Sequence, residues 1–477
     1  MKFLTDHIEP YLPACFLFIF IVVTVIITNY EFIGRDLLWD EAVYYSNANP
    51  AKINSHLHPS RSKGIIYMVS ILGYFDCSVV SVRFFLLFVS AFLCSFLSFN
   101  LAKVIDKKAY FGIAFFSLFW HFQFYSTSIY PNLYVALFFS ISLVLNYLYL
   151  QNGSKIILYK YLLFTALVFL FRLTDGIVLI GSISLVNVYF LLKSKFTSRS
   201  HRNIILFSIL AGLLGMSPWI IESFAVYGNP LNRFILSAKD MNSNPTNDIF
   251  QHLYLLDGPL SAPDKSKIIP KFGLIWILGL LIYYTLAMLS IRKLRTFLFF
   301  IIVPSFFISI KYLFVVNVAS TRYFLPLYLM LSISFILYLS LILQEVRKKQ
   351  SFLSMFKFVT VILYLYISTT FHAKTNSNFH NYLSNSKLGD SEQLIKEVLN
   401  GENNSDKKLY VSHNIPALQF YSNKRTFKLT KNLITKLCDK NRSFYALLKK
   451  KELKNYDCLE KAETYKIGNT HYLINYN

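Results

Sequence analysis

Apolar residues in this chain come in blocks of about 20, each closed by a short polar break, and that spacing leaves few folds open. A helix of this length spans the hydrocarbon core of a bilayer, where every backbone N–H and C=O must be paired inside the segment itself. Composition points the same way: 55% of the 477 residues are hydrophobic and only 15% are charged, whereas soluble domains carry about 25%. A soluble enzyme is excluded and a polytopic membrane protein is expected. The formal charge of +23 would suggest a nucleic-acid partner in a soluble chain. Here most Lys and Arg lie in the breaks between apolar blocks, so the expected partners are membrane lipids with anionic headgroups, and no nucleic acid.

The apolar runs predict spans near Tyr11 to Asn29, Val80 to Ala102, Ala109 to Ser126, Pro131 to Leu150, Ile156 to Phe171 and Leu173 to Leu192. Others follow near Asn203 to Phe224, Phe272 to Ile291, Thr296 to Val316, Arg322 to Leu343 and Phe352 to Phe371, about eleven in all. The first fits a retained anchor better than a signal peptide, because Asp6 and Glu9 precede it beside Lys2 and no A-x-A cleavage pattern follows. Alternate breaks are short and basic, among them AKVIDKKAY from Ala102, KSKFTSRSHR from Lys193 and EVRKKQ from Glu345. Cytoplasmic loops carry that bias, which sets the N-terminus inside and the C-terminus outside.

The expected fold is therefore an all-α polytopic membrane protein with interfacial helices in its first outer loop and a small C-terminal α/β extracytoplasmic domain. Residues 1–372 would form the transmembrane domain, with outer loops at 30–79 and 225–271, and residues 373–477 the outer domain. Within the first loop, KGIIYMVSILGYF (Lys63 to Phe75) is too short to span and predicts a helix in the interface or a re-entrant one. Strand-like KLYVSH begins at Lys407. Cys438 and Cys458 share the polar C-terminal region and form either a disulfide, if that region is extracytoplasmic, or two unpaired thiols. No CxxC or His/Cys ligand spacing suggests a metal site.

Acidic residues are scarce, so those near the outer surface matter: Asp36, Asp40, Glu41, Asp76, Asp175 and Glu222. In WDEAVYYSNA (Trp39 to Ala48) a carboxylate pair opens a helix-compatible run, which would hold Asp40 and Glu41 at a helix N-terminus. Held there and partly desolvated, a carboxylate suits general-base work; the plainer alternative is that the pair caps a surface helix. Arg61, Lys63, Arg83, Arg172 and Arg322 lie at or near the same outer ends. Each could snorkel to headgroups, and several converging near a carboxylate would suit a lipid phosphate.

The order of these motifs resembles the glycosyltransferase-C superfamily, in the branch of the protein O-mannosyltransferases and the lipid A aminoarabinose transferase. The similar segments are WDEAVYY at Trp39 to Tyr45, the stretch Ser62 to Arg83, SPWIIESFAVYGNPL at Ser217 to Leu231, STRYFLPLYLML at Ser320 to Leu331 and PALQFYSNKR at Pro416 to Arg425. Turn and cap chemistry explains each segment separately but not their order.

The resemblance implies a polyprenyl-phosphate sugar donor, with Asp40 as base, Lys63 on the carrier phosphate, and Arg322 and Tyr323 near it; Arg61 is a further candidate. Glu41 would orient the loop or assist a cation, and no cofactor is implied beyond an optional divalent ion. Tyr44, Tyr45 and His58 would line the sugar and acceptor site. The chain departs from the family at Tyr130, Pro131 and Asn132, where some members carry an acid, and at Asp175, which stands where a lysine is usual.

The expected function is inverting sugar transfer to a lipid or cell-envelope glycan at the bacterial cytoplasmic membrane. A flippase or transporter for lipid-linked glycans is the alternative. It predicts charges buried mid-span, whereas here they gather at the outer rim.

Overall fold

A computed structural model describes residues 11–35, 37–241, 252, 255–258, 272–314, 320–349 and 352–385. In the C-terminal region it describes residues 408–411, 420, 426–428, 433–434, 437–438, 444–449, 459, 462–467 and 471–476. Cys458 and, apart from Phe420, the segment Pro416 to Arg425 lie outside these residues. The helices are α1 (Leu12–Ile33), α2 (Trp39–Ala48), α3 (Gly64–Tyr74), α4 (Val79–Ile105), α5 (Lys108–Ser117), α6 (Trp120–Tyr125), α7 (Asn132–Asn152) and α8 (Lys155–Phe171). They continue as α9 (Leu173–Leu192), α10 (Ser198–Tyr227), α11 (Pro230–Met241), α12 (Phe272–Ser290), α13 (Arg295–Phe314), α14 (Leu325–Lys349) and α15 (Phe352–Asn385).

Among the described residues, nine helices are long and apolar enough to cross a membrane. The other two expected spans take different forms. α8 has 17 residues, which is marginal for a full crossing. The run expected at Ala109 to Ser126 breaks into α5 and α6, with Phe119 in an extended conformation between them. Aromatic packing holds the break: the Phe119 ring stacks on His372 at 4.1 Å and meets Trp276 edge-on at 4.6 Å. Trp120 then donates its indole N–H to the Leu256 carbonyl at 3.1 Å.

The spanning helices differ in what covers them. The spanning part of α7 is entirely buried in protein, whereas the windows of α1 and α15 are each only 22% buried. Phe16, Ile27, Leu213 and Val359 are among the large apolar side chains left exposed, as lipid-facing helices require. α10 carries Pro218 inside it, which removes the amide that would bond to the Leu214 carbonyl. The Ser217 hydroxyl donates to that carbonyl instead, at 2.8 Å, so the helix runs on to Tyr227. Arg83 on α4 is fully buried, donates to the carbonyls of Phe32 (2.6 Å) and Ile33 (3.3 Å), and covers the Phe32 ring. It closes the C-terminal end of α1 and does not snorkel.

The chain divides into two compact units: Met1–Ile33, His58–Gly64 and Arg83–Tyr382 in the first, and Gly34–Leu57, Ile65–Val82 and Leu383–Asn477 in the second. The second unit contains a five-stranded sheet of β1 (Lys408–Val411), β2 (Thr426–Lys428), β3 (Phe444–Lys449), β4 (Glu463–Ile467) and β5 (His471–Tyr476), in the order β2-β1-β3-β5-β4. β1 runs parallel to β2 and β3, and β5 antiparallel to β3 and β4. Alternation along β3 sends Phe444, Ala446 and Leu448 into a cluster with Tyr410, Ile434, Leu437, Cys438, Leu459 and Ile474. Tyr445, Leu447 and Leu473, on the opposite face, are also buried, so both faces of the sheet are covered. Cys438 is disulfide-bonded, while Cys15, Cys77 and Cys94 are free thiols.

Candidate functional site

The carboxylate pair falls where the helix signal expects it. Leu38 is extended and serves as N-cap of α2, so Asp40 and Glu41 occupy its second and third positions. The two then divide their work. Glu41 is fully buried and accepts the Leu38 backbone N–H at 3.0 Å, the reach of a third-position carboxylate back to the cap. Asp40 is half-buried and stands in the positive field of the helix start.

The rest of α2 is pinned from several sides. Tyr45 is buried and donates its hydroxyl to the Cys77 carbonyl at 2.5 Å, and burial pushes its phenol up from the usual range. Asn49 donates to Asp76 at 2.6 Å, and the Asn47 amide reaches the Ser55 carbonyl at 2.8 Å. Gly73 of α3 admits no side chain, because a Cβ there would overlap the Ala48 carbonyl oxygen. Tyr44, beside Tyr45, is 7% exposed.

A second group gathers on the segment before α3. His58 Nδ1 and the Ser60 hydroxyl lie 2.6 Å apart. Lys63 pairs with Glu222 of α10 at 2.9 Å, and the other Glu222 oxygen takes Arg233 of α11 at 3.1 Å. Arg233 is 1% exposed. Its guanidinium also donates to the carbonyls of Pro59 (3.0 Å), Trp219 (3.2 Å) and Arg61 (3.4 Å), and covers the Trp219 and Tyr227 rings. This one side chain therefore fastens the Pro59 to Arg61 backbone to α10. Gly64, next in line, packs so closely that a Cβ would strike Phe171.

Arg322 and Tyr323 belong to a third group. They sit in a 3-10 turn, Thr321–Phe324, that leads into α14. The Tyr323 ring stacks flat on Tyr312 of α13, with centroids 4.1 Å apart. Two guanidinium groups cover it, Arg172 at 4.8 Å and Arg322 at 5.4 Å, and Arg322 also lies over Tyr130. Arg172 joins α8 to α9, and Asp175, three residues on, is 2% exposed. That carboxylate pairs with Lys311 at 2.5 Å and Arg172 at 3.7 Å, and accepts the Tyr312 hydroxyl. Among the described residues two cations, Lys311 and Arg172, share this one buried carboxylate, the pairing that buried charges need in apolar surroundings.

Arg233, Lys311 and Tyr312 escaped the sequence reading. A lone lysine inside the apolar run of α13 was the available signal for Lys311. Arg233 had none beyond a cation on the amphipathic segment after Gly228. Among the described residues, no three His, Cys, Asp or Glu side chains come together as a metal site would need.

No protein-family model matches this sequence, and no curated protein does. Solved structures do match in shape. ArnT from Cupriavidus metallidurans bound to undecaprenyl phosphate superposes with a TM-score of 0.64 at 12% identity, over 96% of this chain and 98% of that one. Its apo state gives 0.65 at 10% identity, over 96% and 97%. The apo oligosaccharyltransferase of Archaeoglobus fulgidus gives 0.55 at 10% identity, over 93% of this chain and 70% of that one. The chain shares its fold with these ArnT and oligosaccharyltransferase structures. Within that fold, this chain carries a helix-held carboxylate pair in its second unit and two ion clusters in its first.

Proposed function

We propose that this protein is a multi-pass glycosyltransferase of the bacterial cytoplasmic membrane that moves one sugar, with inversion, from a polyprenyl-phosphate donor to a lipid or envelope-glycan acceptor. The observation that carries the reading is the placement of the carboxylates on α2. Glu41 closes the helix cap, and Asp40 stands half-buried one position earlier at the start of the same pinned helix. Likeness in fold to an ArnT that binds undecaprenyl phosphate supports the donor class.

In the reaction Asp40 takes the proton of the acceptor hydroxyl as that oxygen bonds to the anomeric carbon and the bond from this carbon to the phosphate oxygen breaks. The leaving group is a phosphate anion, so the remaining requirement is positive charge held ready for it. Lys63, Arg61 and Arg322, with the Tyr323 hydroxyl, supply that charge and polarity. Tyr44 and His58 contribute to the sugar and acceptor site, and Tyr45, tied to the Cys77 carbonyl, stiffens the helix that carries Asp40. Residues 1–372 act as the membrane domain and 373–477 as a domain on the outer side.

Membranes bearing the protein, given a labelled polyprenyl-phosphate sugar, test this reading. Asp40→Asn is expected to lower transfer by about 10²- to 10⁴-fold with donor binding retained. Undiminished transfer in that variant refutes the mechanism, and movement of the lipid across the bilayer without a covalent product favours a flippase.

A further inference from the structure

The Lys63, Glu222 and Arg233 group is a built charge triad. One carboxylate lies between two cations, its oxygens 2.9 Å from Lys63 Nζ and 3.1 Å from Arg233. The triad carries a net charge of about +1, and its components differ in access. Arg233 is 1% exposed, Glu222 17% and Lys63 34%, so only Lys63 can turn toward a ligand while Arg233 keeps the carboxylate paired.

Resting on the donor reading above, we infer that Glu222 and Arg233 are positioning residues that set the charge at Lys63 to match the phosphodiester of the donor in preference to the phosphomonoester of the product. A sugar-bearing polyprenyl phosphate is a diester with one negative charge. The polyprenyl phosphate left after transfer is a monoester with about −1.5 to −2 at neutral pH. Glu222 lowers the positive charge beside Lys63 by one unit, and this weakens attraction to the second more than to the first because the Coulomb energy scales with ligand charge, which favours release after each turnover. Without Glu222 that unit of positive charge is regained, and affinity for the product rises more than affinity for the donor. Arg233 makes the arrangement hold: bound to the carbonyls of Pro59, Arg61 and Trp219, it keeps Glu222 from neutralising Lys63 alone.

The test uses the full-length protein in nanodiscs with two probes, undecaprenyl phosphate and its methyl diester, and reads the ratio of their affinities. Glu222→Gln is expected to raise affinity for the monoester relative to the diester by about tenfold. In turnover assays it should lower kcat through tighter product inhibition. Glu222→Asp, which keeps the charge, should restore the wild-type ratio. A purely structural role for Glu222 would weaken both probes together and leave the ratio unmoved. An unchanged ratio in a folded Glu222→Gln protein that still binds the diester overturns the inference and leaves the donor reading intact. Failure of the wild type to bind either probe overturns both.

Discussion

The buried pair of Asp175 and Lys311 makes a sharp energetic claim. Asp175 is 2% and Lys311 13% exposed, with 2.5 Å between them. Replacing Lys311 by Met leaves a buried carboxylate whose remaining supports are Arg172 at 3.7 Å and the Tyr312 hydroxyl. Breaking a buried pair costs about 3–5 kcal/mol, and the surviving partners argue for the lower end, about 3 kcal/mol. Asp175→Asn should cost a similar amount, because it leaves Lys311 and Arg172 as neighbouring cations with no anion between them. Removing both members together is expected to cost only about 1 kcal/mol, since apolar replacement of a buried pair is often close to neutral. The loss of monodisperse protein on heating in detergent measures all three variants against wild type. Each single change should lower the midpoint by several degrees, and the double change by less than either. Additive single effects would refute the idea that the two side chains are held as a pair.

Other consequences follow from single contacts. Gly73→Ala must displace α3 from the Ala48 carbonyl and should destabilise by about 1–3 kcal/mol, with transfer falling more than donor binding if Asp40 moves with α2; activity assays beside melting curves check it. Arg83→Ala removes two hydrogen bonds of a buried guanidinium to the end of α1 and should cost about 1.5–3 kcal/mol for each bond to a charged group, read as a lower melting midpoint with an unaltered affinity ratio between the two phosphate probes. Ser217→Ala leaves the Leu214 carbonyl without its hydroxyl donor and should cost about 1 kcal/mol, visible in the same melting assay. Cys438 should resist maleimide labelling in unfolded, unreduced protein and accept it after reduction, whereas Cys15, Cys77 and Cys94 label in both.

Local signals carried a good part of the fold. α2 begins where WDEA announces a helix start, and α3 coincides with the apolar run that was too short to span. The exception at Phe119 is instructive: its residues form a continuous apolar pattern, and nothing local marks a break. The rings of His372 and Trp276, far along the chain, create the environment that favours one. Periodicity also could not tell the helix cap from the half-buried acid on α2. Both Asp40 and Glu41 are carboxylates at a helix start, and only the position reached by each side chain separates them.

By itself the sequence determined the solvent. Blocks of about 20 apolar residues can satisfy their backbone in lipid only as helices, and the basic breaks between them follow from membrane electrostatics, not from any tertiary contact. Pairing of the scarce charges was decided in three dimensions. Lys311 meets Asp175 across 136 positions of sequence, and Lys63 shares Glu222 with an arginine from another helix. An ion's partner depends on which helix ends come together, and helix packing, unlike helix formation, is not encoded in any local run of residues.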